Sequence, residues 1–206
     1  PPGPALSQSL PDLVAAIPEG ETLSLDAGQT TGRADLTGAL VIQGSGDSQL
    51  VAPDDDAILV LLPGADLALS GVTLSQAGRS TIAIHVEGGR LSLSDCRIEG
   101  DFGAAIQVLS GQVTIRDCHF EGGQVGVQAG PGSAVTLERV TMTGQGDTAI
   151  FAEGAELGLS AVTLTGNGQN GLVVTGSSTV TADDLTVSDA ASVGVWIEGA
   201  TTASLH

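Results

Sequence analysis

The chain has no lysine and no tyrosine, and 6 basic residues stand against 24 acidic ones. The net charge of −18 over 206 residues repels phosphate backbones and anionic lipid surfaces. No nucleic acid partner is expected. Aromatic residues are 2 % of the chain, with one Trp and three Phe. The interior must therefore be filled by Leu, Val, Ile and Ala, with glycine supplying tight corners. No run reaches the roughly 18 apolar residues of a membrane-spanning helix, so no membrane insertion is expected. The opening PPGPALSQSL lacks the basic start and apolar stretch of a secretory leader. Two cysteines, Cys96 and Cys118, leave the redox compartment unread.

What is present is a repeat. Leu67, Leu91, Val113, Val135, Leu157 and Val180 open similar blocks, at steps of 24, 22, 22, 22 and 23 residues. The blocks read LALSGVTL, LSLSDCRI, VTIRDCHF, VTLERVTM, LGLSAVTL and VTADDLTV. Each leads through a glycine-containing stretch to a second apolar run: AIHV, AIQV, GVQA, AIFA, LVVT, VWIE. A period of this length marks stacked supersecondary units. The internal alternation marks those units as strands.

The coil from Leu91 to Gln112 shows the unit. Leu91 and Leu93 point inward around Ser92, Ser94-Asp95 make a corner, and Cys96 and Ile98 point inward around Arg97. Glu99 to Gly103 form a loop, and Ile106 and Val108 make a third inward pair around Gln107. Three short strands per coil predict three parallel sheets around one apolar interior. Leu69, Leu93, Ile115, Leu137 and Leu159 form one buried column; Leu74, Ile98, Phe120, Met142, Leu164 and Val187 form another. Cys96 and Cys118 are one coil apart, at a position filled elsewhere by Val72, Val140, Val162 and Leu185. They read as free, buried thiols, because parallel Cβ vectors suit a disulfide poorly.

The expected organisation is one all-β domain. Residues 1–20 form a cap segment, with a short helix over Ser9–Ile17 ended by Pro18 and Gly20. Residues 21–66 form irregular first coils, and residues 67–206 form regular ones. The last residues, Ala203 to His206, read as the first strand of a further coil. The expectation is that the natural chain continues there, or that end-to-end self-association covers that coil.

On these residues the chain resembles the right-handed parallel β-helix (pectin-lyase-like) superfamily, from about Leu10 to His206. The opening, from the cap helix at PDLVAAI to the strand end VIQGSG, is similar to the usual entry of that fold. The repeats SDCRIEG and RDCHFEG, each followed by glycine and an aliphatic pair, are similar to its general coil. The resemblance implies a right-handed β-helix solenoid. It implies little about activity, because the superfamily holds polysaccharide lyases, hydrolases, adhesins and non-catalytic scaffolds.

In enzymes of that superfamily the substrate cleft lies on the sheet that follows the longer loop. Carried onto this chain, that is the third strand of each coil, with the outward column His85, Gln107, Gln128, Phe151, Val173 and Trp196. Phe151, Val173 and Trp196 are expected to form one exposed row, a recognition stripe for a glycan or protein ligand. The column holds no carboxylate and no arginine. Paired acids for hydrolysis and an arginine base for lyase chemistry are both missing from it. Glu87, Glu153 and Glu198 lie just beyond it in the turns, and the loops of about 5 to 7 residues are too short for deep cleft walls.

A second constellation, Asp95, Arg97, Asp117 and His119, lies around the second corner. It reads as a solvated charge patch, with Asp117 paired to Arg139 and Arg116 to Glu138. Gly166 to Gly171 matches G-x-G-x-x-G but leads into a strand, so it is a turn. Asp54-Asp55-Asp56 is an exposed loop. His85 and His119 lie on different faces, so no metal site is expected, and no cofactor is implied. The expected function is a non-catalytic scaffold or recognition module within a larger secreted or envelope-associated protein. The alternative is a polysaccharide lyase or glycoside hydrolase.

Overall fold

The computed structural model describes residues 8–18, 20–76, 81–199 and 202–205. They form an all-β parallel solenoid of about nine turns with one short helix. Neighbouring strands belong to successive coils, so no helical crossover is needed. The strands run in register: Leu91, Val113, Val135, Leu157 and Val180 stack in one column, and Leu69, Leu93, Ile115, Leu137, Leu159 and Ala182 in the next. Both columns are buried throughout. Burying one Leu or Val side chain contributes about 1.5–3 kcal/mol. No coil buries its own edges, so neighbours share that stabilisation.

The expected three sheets are two. One 13-stranded sheet carries the first and second strands, and an 8-stranded sheet carries the third. The reason lies at the corner. At this corner one residue in each coil adopts a left-handed backbone: Gly71, Asp95, Asp117, Arg139, Ala161 and Asp184, with φ between 52° and 64°. A single such residue bends the chain without ending its ladder. Asp66–Gln76, Ser133–Thr143, Glu156–Thr165 and Thr179–Ser188 are therefore continuous bent strands. At Asp95 and Asp117 the strand breaks instead, giving Arg90–Ser94 with Arg97–Glu99 and Gly111–Arg116 with His119–Glu121.

Coils approach closely where glycine sits in the loop before the third strand. A Cβ on Gly168 would lie 2.0 Å from the Gly146 carbonyl oxygen. At the N-terminal end, helix Leu10–Ala16 starts with Pro11 in its first turn and buries Leu10 completely, with Leu13, Val14 and Ile17 packed on the core. The early strand Ala39–Ala52 shifts register between Gln43 and Ser48. Thr202–Leu205 is a strand paired with Thr179–Ala182; His206 lies outside the described residues.

Cys96 and Cys118 are free and buried, as expected. The Cys118 thiol donates to the Arg116 carbonyl at 3.0 Å and accepts from the Cys96 backbone N–H at 3.4 Å. Its contact with Cys96 and its burial push the Cys118 thiol above its ordinary range. Both side chains act as small core hydrophobes.

Candidate functional site

The third strands Ile82–Val86, Ala104–Val108, Val125–Ala129, Thr148–Glu153, Asn170–Thr175 and Val193–Ile197 pair in parallel. Alternation turns every second side chain outward. Register then aligns His85, Gln107, Gln128, Phe151, Val173 and Trp196 in one column, as the sequence implied. Register also adds Val60 and Asp35 ahead of His85. Sequence reasoning missed these two because the early coils break the 22-residue spacing.

The column changes character along the axis. Asp35 accepts from Arg33 at 2.6 Å, and Arg33 also donates to Asp56 at 2.8 Å. Val60 is buried. The His85 ring is 18 % exposed, with Nε2 3.7 Å from a Glu87 oxygen, too far for a hydrogen bond. Its Nδ1 is buried without a partner. Gln107 donates to Gln128 at 3.1 Å, so two amides chain across adjacent coils. A hollow of about 50 Å³ follows, bordered by Gln107, Leu109, Gln128, Phe151 and Glu153. Leu109 is 49 % exposed beside it.

The row expected to be exposed is only partly so. Phe151 is half-buried and Trp196 is 47 % exposed, but Val173 between them is 7 % exposed. Its branched side chain is shorter than either ring, and neighbouring coils lie only about 4.8 Å apart. The column presents two aromatic surfaces about 9.6 Å apart, with an aliphatic floor between them.

The second constellation is a set of ion pairs between coils. Arg139 holds Asp117 through two bonds of 2.6 and 2.8 Å, and Arg116 holds Glu138 through bonds of 2.7 and 3.1 Å. Both pairings match expectation. Arg139 keeps the Asp117 carboxyl below its ordinary range, and Arg116 does the same for Glu138. Arg97 and His119 stack outward in register. Arg97 donates to Glu99 at 2.7 Å and also to Glu121. Beside them runs a groove of about 700 Å³ over Gly100, Gly122 and Gly144. Its sequence signal was the glycine that recurs at equal steps after Glu99, Glu121 and Thr143. Arg97 bridges the two glutamates on its wall, and Asp101 also lines it. Among the described residues, no group of three His, Cys, Asp or Glu side chains could hold a metal ion.

No curated protein and no solved structure matches the chain. One family does: the right handed beta helix region matches residues 104–206, half of the chain. Given the match and the stacked parallel coils, the chain belongs to the right-handed β-helix family.

Proposed function

We propose that the chain is a recognition module that holds an extended glycan or protein segment along its third-strand face. The observation that carries this reading is Trp196, the single tryptophan of the chain, standing 47 % exposed in register with Phe151. An exposed ring on a rigid sheet is costly to leave in water and effective as a contact surface. The Gln107–Gln128 pair and Glu153 supply hydrogen-bonding groups beside Phe151, further along the same column. Of the carboxylates in the turns beside the face, Glu87 and Glu153 lie three coils apart, about 14 Å along the axis, and Glu153 and Glu198 two coils apart, about 10 Å. Both spacings exceed the roughly 5–5.5 Å of a retaining pair, and the second lies at the outer edge of an inverting one. The exposed ring, not a pair of acids, therefore favours binding.

Trp196 is also the reporter. Titrating the protein with neutral and acidic polysaccharides, and following tryptophan emission, should show a saturable change for the bound class. The double variant Phe151→Ala, Trp196→Ala, followed by calorimetry, should lose that binding at least ten-fold. Undiminished binding in the double variant removes the face from consideration. Release of unsaturated or reducing ends during the titration replaces the reading with a lyase or hydrolase.

A further inference from the structure

The outer surface of the first strands contains a gap that the fold does not require. Thr136, Gly158 and Thr181 are aligned across three successive coils. Residues two apart on a strand share a face, so Glu156 and Ser160 flank Gly158 along its own strand. Four oxygen-bearing side chains, Thr136, Glu156, Thr179 and Thr181, border the open position. The hollow measures about 300 Å³ and is lined by Ala134, Thr136, Glu156, Gly158, Thr179 and Thr181.

Backbone geometry does not account for this glycine. Gly158 is not among the residues with positive φ. A Cβ there would meet nothing closer than the Thr136 hydroxyl at 3.7 Å, an ordinary contact. Other glycines of these coils differ sharply. A Cβ on Gly126, Gly168 or Gly171 would come within 2.6, 2.0 or 2.7 Å of a carbonyl oxygen of the adjacent coil. A mid-strand glycine weakens its strand, and it commonly marks a place where another molecule comes close.

The rim defines what fits. It offers threonine hydroxyls and one carboxylate, with no aromatic ring and no cation. Hydroxyls of both donor and acceptor character suit a polyhydroxylated ring, and a carboxylate suits an ammonium group. The net charge of −18 opposes a uronate. The volume lies at the lower end of the range for small-molecule sites, which suits one ring better than a thin alkyl-ammonium chain. We propose that the hollow over Gly158 binds an amino-sugar unit, with its ammonium on Glu156 and its hydroxyls on Thr136 and Thr181.

The test uses a glucosamine hexamer as probe, with an N-acetylglucosamine hexamer and a hexalysine peptide as comparators, measured by calorimetry on the full chain. Glucosamine hexamer should bind best. Gly158→Thr fills the gap with a good strand former; it should melt no lower than the parent and weaken binding at least ten-fold. Glu156→Gln should erase the preference for the free amine over the acetylated sugar. A lower melting temperature for Gly158→Thr shows that the glycine serves the fold and overturns the proposal. So does unchanged probe binding in that variant, or no binding by the parent. Tighter binding of hexalysine than of glucosamine hexamer overturns it in favour of a peptide ligand. Trp196 lies on another sheet, so Phe151→Ala, Trp196→Ala should leave this binding intact and keep the two sites distinguishable.

Discussion

The bent sheet and the third-strand sheet share one core but differ outside. On the bent sheet, charged side chains answer one another across coils, as Arg116 answers Glu138 and Arg139 answers Asp117. On the third-strand sheet, from His85 onward, the outward column carries amides and rings whose surfaces are only partly used within the chain. The first arrangement ties coil to coil through charge; the second does so only at Gln107 and Gln128 and leaves Trp196 half exposed. In a solenoid this division is natural, because the interior supplies the stability and either exterior is free to specialise.

Cutting into the shared interior should give the largest effect. Leu137 is fully buried in the middle of its column, and Leu137→Ala should cost about 2–5 kcal/mol in urea unfolding. A loss below 1 kcal/mol would mean that the two sheets do not depend on a common core. Gly168→Ala should follow, at about 1–3 kcal/mol, because its Cβ must displace the Gly146 carbonyl. Trp196→Ala, aimed at the third-strand exterior, should change stability by no more than about 0.5 kcal/mol while altering ligand binding.

The bent sheet can be sharpened at its corner. Ala161 holds φ 53° with no side-chain reason to do so. A left-handed L-residue is strained by about 1–2 kcal/mol, of which glycine returns part as lost chain entropy. Ala161→Gly should therefore raise stability by about 0.5–1 kcal/mol, read as a higher urea midpoint. The smallest effect should be that of acid on the paired carboxylates. Asp117 and Glu138 have carboxyl groups held below their ordinary range by Arg139 and Arg116. A lowered folded value stabilises the fold above the unfolded value, and that gain is lost as pH falls through the folded one. Arg139→Ala should thus lower the melting temperature slightly at pH 7 and not at pH 2. An equal drop at both values would assign Arg139 a packing role instead.

Much of the fold was legible because buried columns need the same residue type at each turn. Leu93, Ile115, Leu137 and Leu159 announce themselves by spacing and alternation alone. The continuous bent strands were not legible, because Arg139 and Ala161 carry none of the usual signs of a left-handed residue. The coils above and below impose that conformation on them. Val173 was misread because outward alternation fixes the side a residue faces and not how deep it sits between its neighbours, here Phe151 and Trp196 one coil away on either side. The hollow at Gly158 appears only when three coils are aligned, since a glycine in a strand is ambiguous until its neighbours across the sheet are known.

The regular winding also makes the protein a ruler. Each added turn lengthens the rod by about 4.8 Å and moves every exterior group forward by the same step. A gain or loss of one complete 22-residue unit, such as Val113 to Ala134, would keep every aliphatic column aligned. It would also change the separation between surface groups on either side by a whole increment. Such a scaffold can match the repeat of a long polymer by counting turns, with no redesign of the parts that hold it together.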